Sequence, residues 1–254
     1  MLVEQVGSLD LVDLDVLNTM HGGGFLPYPL RFTGPSRFAT MEEAQAYTTS
    51  VPDRFQHGDL RKFAQFVSAF PRADIRVECH VQHIPADIPC VRVIAYRAAQ
   101  LGFLLMQRPD EEVVDVYTVS PYDLGAAVAE AVPLAEPGRH HAIVVPEYAP
   151  RTEPYFDAEE LVIADKHATA AEVTVPATEV VVYSMIQSHW QPTRKWGRDQ
   201  GKKALIWVGV DADGDYVYAD DLSYAAPMTR KLLQERIDEL IAEDIEALRE
   251  ARND

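Results

Sequence analysis

The stretch VVDVYTVSPYDLGAAVAEAV, residues 113–132, decides how the chain is read. Val113, Val114, Val116 and Val119, with Tyr117 and Thr118 among them, have the composition of a pleated strand. Ser120 then fits a helix N-cap, Pro121 the first helical position, and Asp123 the far end of an S-x-x-D capping box. Leu124, Val128, Ala131 and Val132 follow at helical spacing. The stretch predicts a strand that passes through a capped junction straight into a helix.

Upstream, apolar alternation predicts strands over 75–84, 90–97 and 101–108, separated by the turns PADIP, RAAQ and RPDEE. With 113–119 they make an antiparallel meander closed by the helix. Before the meander, 9–20 reads as a short acidic helix stopped by HGGG, and 25–32 as a proline-edged extended segment. Residues 41–47 and 59–70 read as helices, the second with Leu60, Phe63, Phe66, Val67 and Phe70 on one face. AIVVP adds a short extended piece, and 147–177 is a polar, proline-punctuated connector with a helix over 157–164.

Downstream the pattern restarts. Strands are expected over 179–186, 204–210 and 216–220, then an amphipathic helix over 227–249 carrying Leu233, Ile237, Leu240, Ile241, Ile245 and Leu248. Laying VDVYTVSPYDL over DYVYADDLSYAAPM sets Tyr117 against Tyr218. The expected fold is α+β: two pseudo-twofold-related halves, each an antiparallel meander with a closing helix, plus additional helices. The halves are 1–146 and 178–254, joined by 147–177 into one compact unit.

The chain has 254 residues, 47% of them hydrophobic, enough to bury a full core. Its formal charge of −17 argues against nucleic acid or an anionic membrane as partner, since both need clustered basic groups. No apolar run approaches the roughly 20 residues of a membrane span. The acidic start MLVEQVGSLDLVDLDVL lacks the basic region of a secretory signal. Cys79 and Cys90 are read as reduced thiols, and the expected location is the cytoplasm.

Motif by motif, chemistry finds little purchase. HGGGF at 21–25 matches an oxyanion-hole signature, but it follows a helix and no G-x-S-x-G occurs in the chain. In ECHVQH, Cys79 and His83 share a strand face about 13 Å apart and His80 points away, too far for one tetrahedral ion. His140 and His141 diverge if extended. DADGD, 211–215, has glycine at the fourth place and leucine at the twelfth where a calcium loop wants glycine at the sixth and glutamate at the twelfth; a hairpin turn on Asp213-Gly214 explains it. No P-loop, dinucleotide fingerprint or C-x-x-C is present, so no catalytic, cofactor or metal residue is assigned.

Two stretches fit protein contact instead. SHWQPTRKWGRDQGKK, 188–203, sets Trp190, Arg194, Trp196 and Arg198 in the loop of a long hairpin, residue types in which binding energy concentrates. The alternative is that both tryptophans fold back over their own sheet while the charges solvate the tip. HIPADIP, 83–89, either presents Ile84 and Ile88 to a partner or simply turns the chain.

In its order of segments the chain resembles the EspG family, cytosolic chaperones of actinobacterial type VII (ESX) secretion. LDLVDLDVLNTMHGGGFLPYPLRF is similar to that family's opening, a leucine-aspartate helix, a glycine break, LP and an extended segment. VRVIAYRAAQLGFLLMQRPDEEVVDVYTVSPYDLGAAVAEAVP resembles its central meander, and PGRHHAIVVP its continuation. The resemblance is weak over 41–71 and 147–177. It implies two α+β halves and binding of the helical tip of a PE–PPE-like heterodimer, kept soluble until export; a homodimer is also open. Two departures stand out. DLSYAAP leads directly toward the last helix, so the second sheet is expected one strand shorter, and the turn at 83–89 is shorter than the family's partner loop. The rival readings are a hydrolase or metal-dependent enzyme with His and Asp residues in a groove, and a scaffold or immunity-type binder.

Overall fold

The first helix starts later than its leucine-aspartate spacing predicts, because Glu4–Asp10 is a strand, β1, and helix α1 occupies only Leu11–Met20. Pairing overrides the helical pattern here: Leu9 and Asp10 lie opposite Val114 and Val113 of β5 (Val113–Val119). The computed structural model describes residues 4–85, 87–148, 172–191 and 196–253, so the predicted helix over 157–164 lies outside the described residues. Helix α1 ends as expected at the glycines: Gly22 has φ +83° and its N–H, like those of His21 and Gly23, returns to the last carbonyls of the helix.

Helix α2 (Met41–Gln56) runs nine residues beyond the expected end and straight through Pro52. Burial of Val51 and Phe55 supplies what local propensity lacks. The helix predicted over 59–70 is broken into a 3₁₀ turn, the short α3 (Ala64–Ala69) and a second 3₁₀ turn; Phe63 and Phe66 remain in the core. The meander stands as read, with β2 (Ile75–His83), β3 (Val91–Ala98) and β4 (Leu101–Gln107) preceding β5.

The junction after β5 differs from its reading. Helix α4 spans Leu124–Ala131, with Asp123 at the N-cap and no side-chain cap bond. Ser120 is spent on a turn, its carbonyl accepting from Asp123 N–H at 3.1 Å and its hydroxyl from Tyr122 N–H at 3.3 Å. Strand and helix are therefore joined by a turn, not a capping box.

All described strands belong to one eleven-stranded sheet in the order β1-β5-β4-β3-β2-β8-β9-β10-β11-β6-β7. The remaining members are β6 (Ala142–Val144), β7 (Glu172–Thr174), β8 (Val180–His189), β9 (Leu205–Val210), β10 (Gly214–Tyr218) and β11 (Ala225–Pro227). Only β6 and β7 pair in parallel. The second half is not one strand short as expected, because Ala225–Pro227 is the strand β11: Ala-Ala-Pro has little strand propensity, and pairing with β10 and β6 makes it one. Counting outward from the β2–β8 pair, β11 stands level with β5, so the match of Tyr117 with Tyr218 of β10 is one strand out of step. The DADGD turn shifts likewise: Asp211–Asp213 form the loop, Ala212 takes φ +54°, and Gly214 already pairs with Val210.

Alternation sorts the sheet into two faces. Ile75, Val77, Cys79, Val93, Ala95, Ile186, Leu205 and Trp207 point to one side and meet α4 and helix α5 (Arg230–Asn253). Leu233 and Ile237 of α5 are fully buried there, each contributing about 2 kcal/mol by area. The two helices approach closely at Gly125, where a Cβ would sit 2.1 Å from Asp238 Oδ1. The opposite face carries two separate apolar clusters. One gathers α1, α2 and α3 over β3, β4 and β5; the other lies over β8, β9 and β10.

Candidate functional site

Between those two clusters β2 offers polar side chains. IRVECHVQH alternates so that Ile75, Val77, Cys79 and Val81 enter the helix-covered core, leaving Arg76, Glu78 and His80 on the other face. Register brings Arg92 and Tyr96 of β3 level with His80 and Arg76, and Gln187 and His189 of β8 level with Glu78 and Arg76. The result is a buried polar stripe along the middle of the sheet.

Glu78, 1% exposed, lies 3.0 Å from Arg76 Nε and 3.4 Å from His189 Nε2. His80 Nδ1 is 3.3 Å from the Tyr28 hydroxyl. Burial, helped by Arg92 and Arg31, pulls the His80 pKa down to about 4, so this imidazole is neutral near pH 7. Gln187 holds the hairpin at 188–203 from below, donating to Asp199 O at 2.8 Å and accepting from Asp199 N–H at 2.9 Å. An alternating polar pattern in a strand ordinarily marks a solvent face; this stripe went unassigned because nothing local says that β2 is central.

The residues singled out for partner contact fall in two places. Ile84 and Ile88 occupy the turn between β2 and β3, 46% and 45% exposed. The turn is braced by Ile84 N–H to Val181 O at 2.8 Å and by His83 Nδ1–H to Pro89 O, also 2.8 Å. Trp190 packs against the core under α4 and α5. Trp196 reaches the other face, its indole N–H on Leu30 O at 3.2 Å and its ring edge-on to Tyr28 at 5.1 Å, and keeps 45% exposure. Arg198 is exposed, and Arg194 lies outside the described residues. The β2–β8 ladder runs from Arg76↔His189 to His83↔Val182, so the Ile84 turn and Trp190 stand at opposite ends, roughly 25 Å apart at about 3.3 Å per residue.

Part of the basic loop is committed internally. Lys202 donates to Ser188 O at 2.7 Å and pairs with the buried Asp244 of α5, and Lys203 Nζ lies 2.5 Å from Glu243 Oε1. The histidines weighed for an enzyme take separate partners: His80 has Tyr28, His83 has Pro89 O, and His140 lies 3.8 Å from Asp213. Among the described residues no group of three His, Cys, Asp or Glu could hold a metal ion. Among them, too, no helix is long and apolar enough to cross a membrane.

No curated protein matches the chain at a significant level. The family model described as EspG family matches residues 10–239, from the β1–α1 junction into the first part of α5. With its central meander, helix-covered face and glycine-stopped first helix inside that match, the chain belongs to the EspG family, chaperones associated with ESX secretion.

Proposed function

We propose that the protein is a cytosolic, non-enzymatic chaperone that binds the helical tip of a PE–PPE-like heterodimer and keeps it soluble until export. The observation that carries this reading is the turn between β2 and β3. Two isoleucines, each nearly half exposed, stand on a turn braced by backbone and histidine hydrogen bonds. A rigid apolar prominence of this kind covers an apolar helix tip at little cost in conformational entropy. Trp196 and Arg198 provide a second contact region at the far hairpin, with Arg194 beside it in sequence.

Two four-stranded meanders running outward from β2 and β8, each followed by a helix, support a pseudo-twofold between halves 1–146 and 178–254. Co-expression with PE–PPE proteins encoded nearby, followed by size-exclusion chromatography, tests the function. A stable co-eluting complex is expected; elution of the protein alone in every pairing rejects the reading.

A further inference from the structure

A cavity of about 480 Å³ opens beside the polar stripe, behind the loop at 21–25. Its volume lies in the range of small-molecule sites. Arg76, Tyr96 and His189 form its floor, and Phe25, Phe70 and Pro71 its apolar sides. No Asp or Glu lines it, in a chain with 40 acidic and 23 basic residues. An acid-free, donor-lined cavity is therefore a local exception to the charge of the whole molecule.

Two of the floor residues also carry buried polar atoms without an aligned hydrogen bond. Tyr96 and His189 are each 3% exposed. The Tyr96 hydroxyl is outside hydrogen-bond geometry, and His189 Nε2 meets Glu78 at 3.4 Å without an aligned hydrogen bond. Buried polar atoms left this way cost stability, and an apolar core of the same shape costs less. Glu78 does not line the cavity and pairs with Arg76 at 3.0 Å, so that an entering anion meets an already ordered guanidinium. The loop keeps its shape independently of any occupant, because Asn18 Nδ2 donates to Phe25 O at 2.7 Å.

We propose that this cavity binds a small carboxylate with an apolar body, its charge at Arg76, Tyr96 and His189 and its body against Phe25 and Phe70. The site is independent of the partner surface: it requires neither the Ile84 turn nor Trp196.

Titration of the purified full chain with benzoate, followed by amide chemical shifts, tests the proposal, with benzamide and inorganic phosphate as matched probes. Saturable shifts centred on Gly22, Gly24, Tyr96 and His189 are expected with benzoate, and much weaker ones with either control. Tyr96→Phe removes a hydroxyl that faces Arg76 without an aligned hydrogen bond, so stability changes little while benzoate affinity falls about ten-fold, the worth of one hydrogen bond to a charged group. The double variant Arg76→Gln/Glu78→Gln removes the ion pair without changing net charge, and loses binding. Absence of saturable shifts, shifts centred elsewhere, benzamide or phosphate binding as tightly as benzoate, or unaltered affinity in both variants overturns the proposal.

Discussion

The β2–β3 turn and the β8–β9 hairpin invite the same reading from sequence, yet the fold treats them oppositely. The hairpin carries the tryptophans and the cluster of basic residues, and much of it is tied inward: Trp190 to the helix-covered core, Trp196 to Tyr28 and Leu30, Lys202 and Lys203 to α5. The turn carries two isoleucines, each nearly half exposed, and neither belongs to an apolar cluster of the described residues. A conspicuous residue type is therefore a weaker guide to a contact surface than the absence of an intramolecular use for it.

Substitutions can break this contrast. The largest effect is expected from Trp190→Ala, which empties a half-buried site against the core and costs about 3 kcal/mol in a denaturant titration. Loss of PE–PPE binding with unchanged stability in that variant would instead make Trp190 a contact residue. Lys202→Met leaves Asp244, 4% exposed, without its cation, at a cost of about 2 kcal/mol, the partial exposure of the lysine moderating the effect. Adding Asp244→Asn should recover part of the loss; no recovery would mean that the tether acts through the Ser188 carbonyl alone.

A pH titration probes the platform beneath Trp196. His80 has a folded pKa below its unfolded value, so the unfolded chain takes up the proton first. Its penalty is absent above about pH 6.5 and grows as pH falls toward 4, reaching roughly 2 kcal/mol once partial exposure is allowed for. Stability curves of wild type and His80→Gln should diverge through that window; parallel curves would exclude His80 as the cause. The smallest change in stability, within about 0.5 kcal/mol, is expected for Ile84→Ser/Ile88→Ser. That variant should nevertheless fail to retain a PE–PPE complex on a sizing column, and retention would move the contact surface elsewhere.

Legibility followed the range of the interactions involved. β2 to β5 were readable because their apolar residues alternate and short turns join them. β11 was not, since Ala225 and Ala226 become strand only by pairing with residues brought in from β10 and β6. β1 was hidden because Leu9 fits both a helix stripe and the strand register that β5 imposes. At the candidate surface, the near-half exposure of Ile84 and Ile88 is a tertiary property that HIPADIP alone does not fix. The seating of Trp196 depends on Leu30, 166 positions earlier, and no local pattern encodes it. The stripe of Arg76, Glu78 and His80 was visible as alternation, but its burial depends on β8 arriving from the other half of the chain.

That late arrival matters during synthesis. β2 emerges from the ribosome about a hundred residues before β8, so for that interval the first meander presents β2 as a bare edge with unpaired amides and carbonyls. Arg76, Glu78 and His80 stud that edge, and polar or charged side chains are what discourage a strand from pairing with a stranger. Polar side chains along β2 thus disfavour pairing with another chain while its neighbour β8 is still to be made.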